Sequence, residues 1–430
     1  MKKETFFKSL LAFLLLMVGA NSSWAEDVTP MQDVLFRTNN GTDGWNSNKW
    51  NTQSFPVAAS DAGDNQFECN YNKDFFVLQK YKVDNLASVK SLKLILTGTS
   101  GTDALAIWLY SSNDWTKETA ASTIIPAVST IVGFNPGATG TANTEKKLVD
   151  GTNSKAEVVS GTTACTFTFT DANLTAIKNA ASSDGTFTLL INNKTTELQS
   201  DTKRTFYSSG CETASYRPTL SVEYYDVTNT STSTNYESLS DAVNAVTTGS
   251  ATLQINKDIE LTSRVDGQTN ATLTVVPRKD GIAIKRATSN TGNILLLPKG
   301  TTTFGTEGKQ LIIDGNSVSA TVVAVECSNT GTTTFKNVLF KNHTTSASQG
   351  VLCHKTNGSV VLDNVSFSGC TVSASNAGVV FNGKENLTLQ GTITFTGGSG
   401  NNFYLEKALT MGTSLTASAL SLYLRLCCNM

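Results

Sequence analysis

The sequence predicts an all-β chain: a jelly-roll-like N-terminal β-sandwich, then a right-handed parallel β-helix with a capping helix at its start. Three observations carry this. Near the C-terminus one pattern returns at a nearly fixed step: Phe335, Leu362 and Leu389 stand 27 apart, as do Asn337 and Asn364, while Phe340, Phe367 and Phe395 step by 27 and 28. Such self-similarity marks a solenoid, whose coils bury their apolar faces only by stacking on one another. The repeated runs are too short for helices, rich in β-branched residues and separated by Asn, Gly and Ser, which suits strands and tight turns. The first half carries seven runs with period-two patterning (34–37, 74–83, 89–96, 105–110, 165–169, 186–191 and 219–225), the mark of a sandwich.

At 430 residues the chain has room for two or three full cores. Its 33 Lys and Arg nearly balance 35 Asp and Glu and form no basic stripe, which excludes nucleic acid as the expected partner. Residues 1–25 read as a secretory signal: Lys2 and Lys3, an apolar run over 10–18, and a small-residue cleavage site at 23–25. The run is too short to cross a bilayer, which takes roughly 20 residues. The expectation is an exported bacterial protein, secreted or at the outer cell surface, with no transmembrane segment after signal cleavage. Eight cysteines permit disulfides in that compartment, but no zinc spacing occurs, and most read as buried small hydrophobes. Nothing indicates a metal site, a cofactor or structural calcium, and the pattern leaves the oligomeric state open.

Within the sandwich (26–226) one helix is expected over 171–178, capped by Asp171, with Leu174, Ile177 and Ala181 on its apolar face. The polar segment 227–235 reads as an interdomain linker with nothing to pack. Leu239, Ala242, Val243 and Val246 then fall on one face of a short Ser-capped helix, a natural plug for the open end of the β-helix (236–412). Residues 413–430 read as an irregular, truncated end, or as an apolar tail folded over the last coil.

Residues 75–83, 89–94, 113–118, 206–210 and the ending Arg217-Pro-x-Leu-x-Val-x-Tyr224 resemble the disaggregatase-related, DNRLRE-type carbohydrate-binding modules of exported polysaccharide-active proteins. The resemblance implies binding of a polysaccharide, acidic ones such as alginate included. Such binding needs aromatic rings for sugar faces and cations for carboxylates. The candidates are Trp45, Trp50, Arg37, Lys49, Tyr216 and Arg217, with Arg204 also available. Trp108 shares a strand face with Ala106 and Tyr110 and reads as sheet packing; Trp115 reads as a turn anchor.

The order of a short helix, the run 251–261 and then 309–316 resembles the pectin-lyase-like β-helices of bacterial surface and adhesin proteins. That fold also hosts polysaccharide lyases and glycoside hydrolases, which need paired carboxylates or a calcium-binding acid cluster. Asp314 and Asp363 are the weak catalytic candidates, each beside Gly or Asn, where turn-making is the usual role. His343 and His354 lie on different segments without an acid nearby. The reading is a non-catalytic binder of polysaccharide or surface glycan, with the β-helix as stalk or adhesive surface. The alternatives are a lyase or hydrolase acting along the coils, and a structural or protein-binding surface component.

Overall fold

The computed structural model describes residues 25–38, 50–54, 66–70, 76–98, 105–116, 147–150, 157–159, 162–193, 203–292, 294–327, 330–374, 377–412 and 415. The chain divides into two compact units, Met1–Tyr224 and Tyr225–Met430.

The first unit is an antiparallel sandwich. One sheet runs Glu26–Val28, Thr219–Tyr224, Val89–Gly98, Thr162–Phe169 and Glu157–Val159 in spatial order. The other runs Trp50–Ser54, Gln32–Thr38, Phe76–Lys82, Thr186–Asn193, Leu105–Leu109 and Lys147–Asp150. Alternation fixes which side chains face inward. Leu92, Leu94, Leu96, Phe167, Phe169, Leu220 and Val222 from one sheet form a single core with Val77, Tyr81, Ile107, Phe187, Leu189 and Ile191 from the other. The helix Asp171–Ala180 adds Leu174 and Ile177 to that core. Its cap differs from the expectation: Thr170 is the N-cap, without a side-chain cap bond, and Asp171 lies in the first turn.

The second unit is a parallel β-solenoid of about five turns. Its main ladder stacks Thr248–Ile255, Asn270–Pro277, Thr301–Phe304, Thr332–Lys341, Ser359–Ser368, Leu387–Thr396 and Leu409–Met411. A further ladder stacks Val265–Asp266, Leu296–Leu297, Val325–Cys327, Leu352–His354, Gly378–Asn382 and Asn401–Leu405. The repeat seen in the sequence is the coil itself, since Phe335 pairs with Leu362 and Leu362 with Leu389. Asn337, Asn364 and Gly391 share one corner, all with φ near +60° (55°, 55° and 64°), a backbone region open to Asn and Gly. The change of step from 27 to 28 is a bulge. Asp363 pairs with Gln390 but Val365 pairs with Ile393, so one extra residue enters the later coil, and the Thr392 amide donates to Asn364 Oδ1 at 2.9 Å.

The segment expected to be a linker is part of the solenoid. Val227–Asn229 and Thr234–Tyr236 form a hairpin, and the first of these strands pairs antiparallel with Thr248–Ile255. Val227, Thr228 and Asn229 are buried. A tract of Thr, Ser and Asn looks solvated in sequence, yet its backbone satisfies the otherwise open edge of the first coil, as in the 2.9 Å bond from Thr230 N to Thr252 O. The capping helix follows as expected: in Leu239–Asn244 the Ser238 hydroxyl accepts from Asp241 N at 3.0 Å, and Leu239, Ala242 and Val243 enter the solenoid core. Leu409–Met411 begins a further coil beside Leu387–Leu389. Beyond 412, all but Leu415 of the tail lies outside the described residues, as do residues 1–24 and the predicted signal.

Candidate functional site

In the first unit two of the candidates, Tyr216 and Arg217, lie in the loop before the closing strand. Lys203–Tyr207 ends in Tyr207, whose ring stacks on Tyr216 with centroids 5.0 Å apart and planes 24° apart. Stacking uses one face of each ring, and both side chains remain half-buried rather than enclosed. Arg217 follows at once; its Nε donates to Cys211 O at 2.7 Å, and its terminal nitrogens have no partner among the described residues. The guanidinium is thus oriented by its Nε bond, and Arg217 is half-buried rather than enclosed.

This loop is pinned by a residue the sequence reading passed over. Asp33, on Gln32–Thr38 and 1% exposed, accepts from Ser209 N at 2.7 Å and from Ser209 Oγ at 2.5 Å. Its neighbour Gln79 and the alternation around it gave no hint of a buried carboxylate; only a buried position in an apolar strand could have flagged it. Burial raises its pKa to about 6, against the lowering effect of the Ser209 bonds. The native state therefore holds this proton more tightly than the unfolded chain. The stability Asp33 confers is complete below pH 3.8 and lost as pH rises through about 6, a change of roughly 2–3 kcal/mol at 1.4 kcal/mol per unit. Asp33→Asn should flatten this fall in the first unit. Denaturant midpoints followed by tryptophan fluorescence across pH 4–7 measure it, because all five tryptophans precede residue 116.

The remaining aromatic candidates divide. Trp108 is fully buried in the sheet. Trp115 anchors a turn: its Nε1 donates to Thr188 Oγ1 at 3.0 Å, its carbonyl accepts from Lys80 Nζ, and that ammonium lies 4.8 Å from the ring centroid. Burial lowers the Lys80 pKa, opposed by the charge of Asp114. Of the polar-loop candidates, Trp45 and Lys49 lie outside the described residues. Arg37 and Trp50 are placed in backbone only, on neighbouring strands where Arg37 is level with Asn51 and Trp50 with Thr38.

In the solenoid, Asp314 and Asp363 do not form a pair. Asp314 is level with Lys341, and Asp363 with Lys336, two coils further on. Asp363 stands before the Asn364 corner and the position level with Asp314 in that coil, Ser368, stands after it, and the two coils between add roughly 10 Å, beyond the spacing that either hydrolytic geometry uses. Each carboxylate has turn-type partners: Asp314 accepts from Asn316 N at 2.8 Å and faces Lys341 at 3.9 Å, and Asp363 accepts from Asn364 Nδ2 at 3.0 Å. His343 Nε2 donates to Ile313 O at 2.8 Å, and His354 bridges Asn382 Oδ1 and Gly358 O, each at 2.9 Å. Cys165, Cys211, Cys327, Cys353 and Cys370 are buried thiols. Burial holds Cys353 up at about 12 and Cys370 at about 11, so neither is a nucleophile at neutral pH.

No protein-family model matches the chain, and no curated protein does. Among solved structures, the catalytic unit of a thermostable GH87 α-1,3-glucanase from Streptomyces thermodiastaticus strain HF3-3 is similar at 11% identity, covering 86% of this chain and 68% of that one, with a TM-score of 0.15. At that score the likeness bears on neither fold nor activity. Among the described residues no helix is long and apolar enough to cross a membrane.

Proposed function

We propose that the chain is an exported polysaccharide-binding protein that holds its ligand without cleaving it, with the first unit as binding module and the solenoid as an extended surface. The observation that carries this is the half-buried Tyr207–Tyr216 stack beside Arg217, on a loop that Asp33 pins. Rigid rings present an apolar face to sugar carbons at little entropic cost, and an oriented guanidinium supplies paired donors for a uronate carboxylate. The resemblance of residues 75–83 and 217–224 to DNRLRE-type modules points to the same ligand class. The separated carboxylates of the solenoid, each engaged in a turn, support a non-catalytic role.

The test is native affinity electrophoresis of the full chain through gels holding alginate, pectate, xylan or mannan, beside Tyr216→Ala and Arg217→Gln. Tyr216→Ala should weaken binding to every retained polymer by roughly 2- to 10-fold, the range of one aromatic contact. Arg217→Gln should weaken retention by the acidic polymers and leave the neutral ones unchanged. Retardation of both variants equal to that of the unmodified chain would remove this loop from the binding surface, and release of oligosaccharides from any polymer would favour the catalytic alternative.

A further inference from the structure

The solenoid carries a second charged feature, at the corners of its coils. Where each coil passes from the short ladder to the next long strand, the chain turns through a corner. Lys299 lies between Leu296–Leu297 and Thr301–Phe304, Lys355 between Leu352–His354 and Ser359–Ser368, and Lys384 between Gly378–Asn382 and Leu387–Thr396. The ladders on both sides are in parallel register through these coils. The corners therefore stack at the strand spacing of about 4.8 Å, which places Lys355 and Lys384 one coil apart and Lys299 two coils before Lys355. The three lysines line one cleft of about 420 Å³, whose other walls include Thr330, Thr356 and Asn357.

The charges in this cleft do not cancel. Lys299 faces Asp266 at 3.2 Å, but that single carboxylate also takes Arg264, at 2.5 Å. Lys355 and Lys384 have no ion-pair partner among the described residues. Glu385 and Glu406 are exposed near the same edge but line no part of the cleft. A concave site with ammonium groups repeating along the solenoid axis, and hydroxyl and amide groups between them, fits an extended anionic polymer that also carries hydroxyls.

We infer that this corner cleft binds an acidic polysaccharide strand, its carboxylates on Lys299, Lys355 and Lys384 and its hydroxyls on the Thr and Asn side chains. No aromatic ring lines the cleft, so it offers no platform for nucleic-acid bases. The inference extends the polysaccharide-binding reading to a site on the second unit, separate from Tyr216 and Arg217.

The experiment uses the full chain, the double variant Lys355→Gln/Lys384→Gln, and the double variant Tyr216→Ala/Arg217→Gln. Each is titrated with polygalacturonate, dextran and a single-stranded oligonucleotide at two salt concentrations. Lys384 is exposed and Lys355 half-buried, and the Lys→Gln changes keep most of each side chain, so the thermal midpoint should hold. The lysine variant should bind polygalacturonate roughly tenfold more weakly and with a shallower salt dependence, while any dextran binding stays unchanged. Equal affinity of the lysine variant and the unmodified chain for polygalacturonate would overturn the inference, as would a preference for the oligonucleotide. The two readings fail differently: a loss confined to the Tyr216/Arg217 variant leaves the first-unit site standing and removes this one, and a loss confined to the lysine variant does the reverse.

Discussion

Phe367→Ala should cost the solenoid about 3–5 kcal/mol, the range for truncating a fully packed aromatic side chain. The ring is 1% exposed and sits between Phe340, at 4.9 Å and 12°, and Phe395, at 4.8 Å and 6°. Phe335 meets Phe340 edge-on at 5.4 Å, and Phe304 stacks on Phe335 at 5.3 Å, so the substitution opens a gap inside a continuous aromatic column. The gap cannot close by local shift, because Phe340, Phe367 and Phe395 are held level by ladder pairing on both sides. Each coil of a solenoid leans only on its neighbours, so the loss should also uncouple the coils after Phe367 from those before it. Denaturant unfolding followed by far-ultraviolet circular dichroism should show an earlier midpoint and a broader or split transition. Asp363→Ala, four residues away, is the control. That side chain is half-buried, its contact is with the adjacent Asn364, and its removal should stay within about 0.5 kcal/mol. Equal effects of the two substitutions would mean that the column does not hold the coils together.

Acid should loosen the solenoid before it harms the sandwich. His343 is 3% exposed, and burial lowers its pKa to about 4. The bond to Ile313 O and the charge of Asp314 oppose that shift, while the guanidinium of Arg286 adds to it. The native fold therefore demands a neutral ring. Between pH 6.5 and 4 the unfolded chain binds the proton and the native state does not, so stability is complete above 6.5 and falls as pH drops towards 4. The loss amounts to roughly 3 kcal/mol at 1.4 kcal/mol per pKa unit. His343→Gln, whose amide can still donate to Ile313 O, should be less stable at neutral pH but flat across this window. Asp33 has the opposite sign in the first unit, so the two transitions should move apart as pH falls. Tryptophan fluorescence reports the first unit alone, since the solenoid contains no tryptophan, and circular dichroism reports both.

Much of this architecture could be read before any coordinates, for a definite reason. A solenoid writes its period into the chain, because the same inward position recurs in every coil; Phe335, Leu362 and Leu389 recur for that cause. The recurrence of Asn337 and Asn364 was visible for the same reason, though their left-handed backbone was not, and the drift from 27 to 28 residues was the trace of a bulge. The 227–235 hairpin was hidden because composition reports what side chains bury, whereas this segment matters through its backbone bonds to the first coil. The sites were less legible. Tyr216 and Arg217 could be named as residue types, but the partnership with Tyr207 comes from strand Lys203–Tyr207 meeting the turn before the last strand. Asp33 lies 176 residues from the serine it holds, and no local pattern links them. The lysines of the corner cleft occupy turns of unequal length, so they fall outside the repeat that the core residues keep.

The most direct test of the central claim is the electrophoretic mobility of the unmodified full chain in gels of increasing alginate, pectate, xylan or mannan concentration. Polysaccharide binding predicts retardation that grows with the concentration of at least one polymer, strongest for an acidic one and weakened by salt. Mobility unchanged in every gel would contradict it and leave the chain as a structural or protein-binding surface component.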